Sequence, residues 1–270
     1  MIQASLTKVP RTLLLPLIAR AEVSRWKNPE LYDEKAIQLS DSLEYDKKKI
    51  IRNMLESGML GLAVRAKKFD AAIRNFLKTH PKATILNIGA GLDTSFYRVD
   101  NGILTWFDLD LPESMELRKK LIPPPSRVTY IEKSMLDYSW IDDIGDISNG
   151  LFIQIPGVLP YFKEETVKEF LTTISARLPD AEIIFDVCSP MGKVVISERI
   201  KKSGMGDAPL QWGITRPEKI TSWGPHIQLV NAERFFKDIP KKWSYSFKTW
   251  YLMSANDRYK VSQVFHFRFV

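Results

Sequence analysis

A single cysteine in 270 residues excludes an intramolecular disulfide and any multi-cysteine metal site, and it is compatible with a reducing compartment. That residue, Cys188, sits in the apolar run around Ile183-Ile184-Phe185-Asp186-Val187 and reads as a buried strand residue rather than a nucleophile. Long hydrophobic runs are missing as well: nothing approaches the roughly 20 apolar residues of a membrane span. The stretch from Leu13 to Ala19, after Lys8 and Arg11, makes a poor signal-peptide core. Pro16 interrupts it, Arg20 and Glu22 follow at once, and no small-x-small cleavage site is evident. There is no internal repeat, low-complexity tract or Gly/Ser-rich linker. The expectation is a soluble, cytoplasmic protein with no metal site and no membrane partner.

What is present is ordinary globular composition, 44% hydrophobic and 26% charged, in a length that suits one large α/β domain with elaborations. The net charge of +7, from 39 Lys and Arg against 32 Asp and Glu, raises nucleic acid, an anionic surface or an acidic small substrate as partners. The basic residues are dispersed in groups such as Lys47-Lys48-Lys49, Lys67-Lys68 and Lys201-Lys202, usually beside acids. That is the pattern of a solvated surface, so no nucleic-acid partner is expected.

The first eighty residues read as helices, with apolar residues at three- and four-residue spacing from Glu30 to Leu43 and from Lys47 to Leu77, where Pro81 ends the run. From Thr84 onward, short β-rich runs alternate with helical patterns, the signature of a parallel sheet with helices on both faces. Strands are expected at Thr84 to Ile88, Ile103 to Leu109, Val128 to Ile131, Leu151 to Ile155 and Glu182 to Val187. Helices are expected at Ser114 to Leu121, Glu164 to Arg177 and Lys193 to Lys201. A helix from Pro217 to Trp223 and an antiparallel pair, Ile227 to Val230 with Gln263 to Val270, complete the pattern.

The chemistry concentrates after the first strand. Ile85-Leu86-Asn87-Ile88-Gly89-Ala90-Gly91-Leu92-Asp93-Thr94 is a strand running into a turn whose glycines permit positive φ and close ligand approach. Nineteen residues past Gly91, Asp110 lies at the end of the second strand in Trp106-Phe107-Asp108-Leu109-Asp110-Leu111-Pro112. A carboxylate there offers two oxygens to the hydroxyls of a ribose, which suits an adenosine ligand. Asp108 is the rival acid, because side chains alternate along a strand and both point to one face. Either acid could instead cap the helix that starts near Pro112. A dinucleotide turn wants a third glycine near the pyrophosphate, where this chain has Thr94. S-adenosylmethionine has no pyrophosphate, so the turn favours it over a nicotinamide cofactor.

Asn87-Ile88-Gly89-Ala90-Gly91-Leu92-Asp93-Thr94, Phe96-Tyr97-Arg98 and Asp108-Leu109-Asp110-Leu111-Pro112-Glu113 together resemble the leucine carboxyl methyltransferase family, which includes the tetracenomycin-type O-methyltransferases. The resemblance extends to Thr12-Leu13-Leu14-Leu15-Pro16-Leu17 with Arg20-Ala21, to Val64-Arg65 with Phe69-Asp70, to Gly157-Val158-Leu159-Pro160-Tyr161 and, more faintly, to Trp212-Gly213-Ile214. It implies an α/β fold of the Rossmann-like class I methyltransferase type: a mostly parallel seven-stranded sheet with helices on both faces plus an N-terminal helical cap. One domain would span residues 1–270, with the cap in 1–80, a cofactor-binding core in 81–190 and a substrate-covering region with the terminal strands in 191–270.

The resemblance further implies S-adenosylmethionine as cofactor and a hydroxyl or carboxyl of a small molecule as methyl acceptor. A protein C-terminal carboxylate as acceptor, or a catalytically inactive cofactor-binding homologue, are the alternatives. Arg65 corresponds to an arginine that pairs with the methionine carboxylate of the cofactor, a role its planar donor fork suits. Gly89 and Gly91 correspond to the turn and Asp110 to the ribose acid. Where the family has an acid and an apolar residue at the adenine, this chain has Ser134 and Met135, with Asp137 three positions on. The glutamate that commonly precedes Gly-Val-Leu is Pro156 here, so its task is absent or supplied elsewhere, for example by Gln154.

Methyl transfer is an in-line displacement that depends chiefly on alignment, so no catalytic side chain is assigned. A carboxylate acceptor is already ionised at neutral pH, whereas a phenol or alcohol wants a base nearby. Of His80, His226 and His266, only His226, in Trp223-Gly224-Pro225-His226, falls where the chain is expected to cover the site, and it reads as an exposed loop histidine with no catalytic task rather than as a base. Trp212, Trp223, Phe235, Phe236, Trp243, Tyr245 and Trp250 crowd the C-terminal quarter as core residues, with some available for a flat acceptor pocket.

Overall fold

The computed structural model of the chain describes residues 13–43, 50–52, 54–202, 209–240, 242 and 244–270. Lys8, Arg11, Thr12, Trp243 and the first residues of the Lys47 to Leu77 run lie outside the described residues. Seven strands form one sheet: β1 Thr84–Ile88, β2 Thr105–Asp110, β3 Val128–Glu132, β4 Leu151–Ile155, β5 Glu182–Cys188, β6 Ile227–Arg234 and β7 Ser262–Phe269, in the order β3-β2-β1-β4-β5-β7-β6. The first five run parallel and β7 is antiparallel to both β5 and β6. Every residue of β1 and β4 is buried, because helices cover both faces of a parallel sheet and leave no side of a central strand to water. At the far edge β6 is mostly exposed, carries Gln228, Asn231, Glu233 and Arg234, and is bulged between Leu229 and Asn231. Polar side chains and a bulge discourage pairing of that edge with another chain.

Among the described residues the α-helices with described limits are α1 Leu14–Ser24, α2 Glu34–Ser42, α3 Glu56–Leu77, α4 Ser95–Val99, α5 Pro112–Leu121, α6 Trp140–Asp143, α7 Glu164–Arg177, α8 Pro190–Lys202, α9 Glu218–Thr221 and α10 Phe247–Arg258. On one face of the sheet, Phe170 and Ile174 of α7 pack with Ile153, Phe185 and Phe267. On the other, Leu60, Phe69 and Ile73 of α3 and Met253 of α10 pack with Ile85, Trp106 and Phe152. Leu14, Leu17 and Ile18 of α1 and Leu39 of α2 bury themselves against Leu92, Leu117 and Leu121. The N-terminal helices therefore rest on the glycine turn and α5.

Local chemistry explains where the elements depart from the sequence expectation. Strand β2 starts at Thr105 rather than Ile103, because Asn101 Oδ1 accepts the N–H groups of Ile103 at 3.0 Å and Leu104 at 2.9 Å and so diverts them from the sheet. Helix α2 starts at Glu34 rather than near Glu30, because Asp33 caps it through the Ala36 N–H at 2.9 Å. Helix α5 begins two residues earlier than expected, with Pro112 in its first turn, where a missing N–H costs nothing. Helix α10 was not foreseen.

Candidate functional site

A cavity of about 910 Å³ opens along the carboxyl ends of β1, β2, β4 and β5. Strand order reverses between β1 and β4, the place where an open α/β sheet leaves a crevice for a ligand. Helices α1, α3, α8 and α10 contribute the remaining walls. At the β1 end, Gly89 adopts φ +70° and the Val158 side chain occupies the space a Cβ would need, so no other residue fits without displacing β4's exit. Gly91, at φ +44°, has Leu13 Cδ2 only 2.9 Å from its Cβ position.

The two acids of β2 have different surroundings. Asp110 lines the cavity; its Oδ2 accepts the Gly91 N–H at 2.7 Å and its Oδ1 the Leu111 N–H at 2.7 Å. Burial raises its pKa, and those backbone donors oppose the rise. Asp108 sits opposite Asn87 in the sheet, fully buried and away from the cavity. It accepts from Arg118 Nη2 at 2.6 Å, Asn87 Nδ2 at 2.8 Å and Trp106 Nε1 at 2.9 Å. Arg118 also donates to the carbonyls of Gly91 at 2.9 Å and Asp93 at 2.8 Å. Asp108 thus shapes the turn through Arg118, while Asp110 lines the cavity. Neither caps α5, whose N-cap position is Leu111.

Thr94 carries a structural duty that a glycine could not. Its hydroxyl donates to Asp33 Oδ2 at 2.6 Å and accepts from Arg98 Nη1 at 2.9 Å. Arg20 and Arg98 both bind Asp33 as well, at 2.9 and 2.5 Å, and Arg98 reaches Asp70 of α3 at 2.7 Å. This buried set ties α1, α2 and α3 to the turn. Burial would raise the Asp93 pKa, but Arg20 and Arg98 bring it to about 2.

On the opposite side of the cavity, Arg65 of α3 points Nη1 at Asp186 Oδ2, 3.3 Å away. Asp186 Oδ1 accepts the Gly157 N–H at 2.5 Å. Gly157, at φ +74°, leaves the space its Cβ would fill to the Arg65 guanidinium, whose Nη1 lies 2.5 Å from that point. The phenol of Tyr161 lines the same wall, where burial, together with Asp186, raises its pKa against the pull of Arg65. Asp186 is the residue that sequence reasoning missed; the available signal was an acid interrupting an otherwise apolar strand close to its carboxyl end. Gln154 does not take the place of the family's glutamate: it is fully buried within β4, away from the cavity, with neither amide atom hydrogen-bonded. Pro156 lines the cavity, and the carboxylate beside it comes from β5.

Ser134 and Met135 also line the cavity, whereas Asp137 is a solvent-facing turn residue. The Ser134 hydroxyl accepts the Leu136 N–H at 3.2 Å, and Met135 is buried with its carbonyl bonded to Trp140 Nε1 at 3.0 Å. No histidine reaches the cavity. His226 Nδ1 bonds the Val270 carbonyl at 2.7 Å, His266 pairs with Glu182, and His80 stacks on Phe76. Of the C-terminal aromatics, Phe235 and Phe236 line the cavity; Trp212 and Trp223 pack on each other, and Tyr245 packs on Trp26.

Cys188 lines the cavity too, but burial, with Asp186 adding to it, pushes its thiol up to about 12. At pH 7.5 roughly 10⁻⁴ to 10⁻⁵ of such a thiol is ionised. Native protein is therefore expected to resist iodoacetamide at that pH and to be labelled only after denaturation, as followed by intact-mass spectrometry; fast labelling of the native chain contradicts this environment.

The sheet order, the reversed last strand and a carboxyl-edge cavity with a glycine turn and a β2 acid define the Rossmann-like class I methyltransferases. A solved S-adenosylmethionine-dependent methyltransferase from Anabaena variabilis shares the fold, with a TM-score of 0.53 at 14% identity over 76% of this chain and 84% of that one. The leucine carboxyl methyltransferase family model matches residues 12–175, and the chain belongs to that family. It is 30% identical over 226 residues to the tetracenomycin polyketide synthesis O-methyltransferase of Streptomyces glaucescens, covering 83% of this chain and 82% of that protein. It is 23% identical to an S-adenosyl-L-methionine-dependent methyltransferase of Gibberella zeae, covering 96% of this chain and 93% of that protein. The chain is an S-adenosylmethionine-dependent methyltransferase. Among the described residues no helix is long and apolar enough to cross a membrane.

Proposed function

We propose that this chain methylates an oxygen, hydroxyl or carboxyl, of a small molecule held in the carboxyl-edge cavity beside the cofactor. The observation that carries the reading is the convergence on one cavity of the Gly89 to Gly91 turn, the Asp110 carboxylate and the Arg65–Asp186 pair. Those groups match the chemistry of S-adenosylmethionine from end to end. Asp110 offers acceptor lone pairs to the two ribose hydroxyls, while Gly89 and Gly91 keep side chains out of the turn. Met135 offers an apolar surface to the adenine ring and Ser134 a hydrogen bond at its edge. Arg65 offers a guanidinium to the methionine carboxylate, and Asp186, held by Gly157, offers a carboxylate to its ammonium. When bound, the cofactor supplies a methyl group on a positively charged sulfur.

The residues of this chain contribute alignment and exclusion of water, in keeping with an in-line displacement. The wall of Phe235, Phe236, Leu210 and Ile196 suits an apolar acceptor of drug-like size. Small-molecule acceptance also agrees with the Streptomyces relative, whose name places it in polyketide synthesis. A lone buried thiol agrees with a cytoplasmic setting.

Arg65 supplies the direct test. Arg65→Ala is expected to weaken S-adenosylmethionine binding by about 1.5 to 3 kcal/mol, roughly 10- to 150-fold, as loss of a charge-assisted partner requires. Calorimetric titration reads the change, and circular dichroism checks that the fold persists. Unchanged affinity in a folded variant refutes the placement.

A further inference from the structure

Two glycines stand in the first two turns of α3, Gly58 and Gly61, and both line the cavity. Glycine weakens a helix relative to alanine, so each needs a reason. Backbone conformation is not one, because neither has a positive φ. At Gly61 the space is taken by packing: Phe236 Cζ lies 3.5 Å from the point a Cβ would occupy, so the ring rests on the bare helix. At Gly58 no atom of the described residues lies within 4 Å of that point. The described chain keeps this part of the cavity clear and puts nothing of its own into it.

Helix geometry places that space. Gly58, Leu62 and Arg65 stand at i, i+4 and i+7 on one face of α3, and all three line the cavity. Gly58 therefore sits about 10 Å along the helix axis from Arg65. Ser57, beside it, is 7% exposed and lines the cavity, and its hydroxyl has no hydrogen-bond partner among the described residues. A buried hydroxyl in that state has lost hydration without exchange, and an oxygen on a ligand completes it. A volume of about 910 Å³ is near the upper end for small-molecule sites, which leaves room for an acceptor next to a cofactor.

We propose that Gly58 is a specificity residue that sets the length of the acceptor: the enzyme takes extended acceptors whose far end fills the clear space at Gly58 and presents an oxygen to Ser57. The missing side chain at Gly58 is thus kept for the substrate, at the expense of helix stability. A one-ring acceptor with its nucleophile at the cofactor stops short of this space, and a longer body reaches it. This inference rests on the reading that places the amino-acid end of the cofactor at Arg65.

The test uses the full chain saturated with S-adenosylhomocysteine and calorimetric titration of hydroquinone, dihydroxynaphthalene and dihydroxyanthraquinone, each with its hydroxyls at opposite ends. The wild type is expected to bind the longest of these more tightly than hydroquinone by about tenfold or more, and Gly58→Leu to erase that preference by overfilling the space. Affinity for hydroquinone and for S-adenosylhomocysteine should stay as in the wild type. Gly58→Ala is expected to raise the melting temperature, since alanine favours the helix and its methyl meets no atom of the described residues, while weakening the longest compound alone. Ser57→Ala should also weaken the longest compound and spare hydroquinone. The proposal is overturned by a wild type without the length preference, by a preference or an S-adenosylhomocysteine affinity in Gly58→Leu opposite to that expected, or by Ser57→Ala without effect. A Gly58→Ala protein less stable than the wild type overturns it too, because the glycine then serves the fold. Failure of S-adenosylhomocysteine to bind the wild type contradicts the cofactor placement instead, and this inference falls with it.

Discussion

Asp108→Ala is expected to destabilise the protein by about 3 to 5 kcal/mol, since removing one partner of a buried ion pair leaves the other charge uncompensated. Arg118 is that charge: its side chain is nearly inaccessible, and its pKa is raised by Asp108 against burial. The variant also strands Asn87 Nδ2 and Trp106 Nε1 within the sheet. A loss of this size is a large share of the roughly 5 to 15 kcal/mol by which domains are stable. Urea denaturation measures it directly. Asp108→Asn keeps the shape and one acceptor, so it should cost less than the alanine change. An Asp108→Ala protein as stable as the wild type would contradict the structural duty assigned to this acid.

Why that duty falls to Asp108 and not Asp110 was hidden in the sequence. Alternation along β2 puts both acids on one face, and only the pairing with β1 places Asp108 beside Asn87 in the interior and Asp110 beyond the last β1 residue. By contrast β1, β4 and α7 could be read to their observed limits. The first two are short, mostly apolar runs with a single amide each, Asn87 and Gln154, and α7 places its buried Val167, Phe170, Leu171 and Ile174 at helical spacing. Helix α10 gave no such signal, because exposed Phe247 and Tyr251 break the apolar stripe and few of its residues are buried.

The site was legible in parts. The glycine turn and the β2 acids stand close in sequence and declare themselves. Arg65 and Asp186 are 121 residues apart and form a pair only through the crossing of α3 over β5, so periodicity offered nothing for either. Arg65 emerged from family resemblance and Asp186 from the structure.

The most direct measurement of the central claim, that S-adenosylmethionine lies in the carboxyl-edge cavity with its ribose on Asp110, is calorimetric titration of the Asp110 variants. Two hydroxyl bonds to a carboxylate are at stake, each worth about 1.5 to 3 kcal/mol and less than additive together, so Asp110→Ala should lower affinity by roughly a hundredfold or more. S-adenosylmethionine and S-adenosylhomocysteine should lose the same factor, since they share the ribose and differ at sulfur. Asp110→Asn should fall between, keeping one acceptor and the shape while losing the charge. If Asp110→Ala binds both molecules as tightly as the wild type, the Gly89 to Gly91 turn is a structural feature alone and the placement of the cofactor in this cavity is wrong.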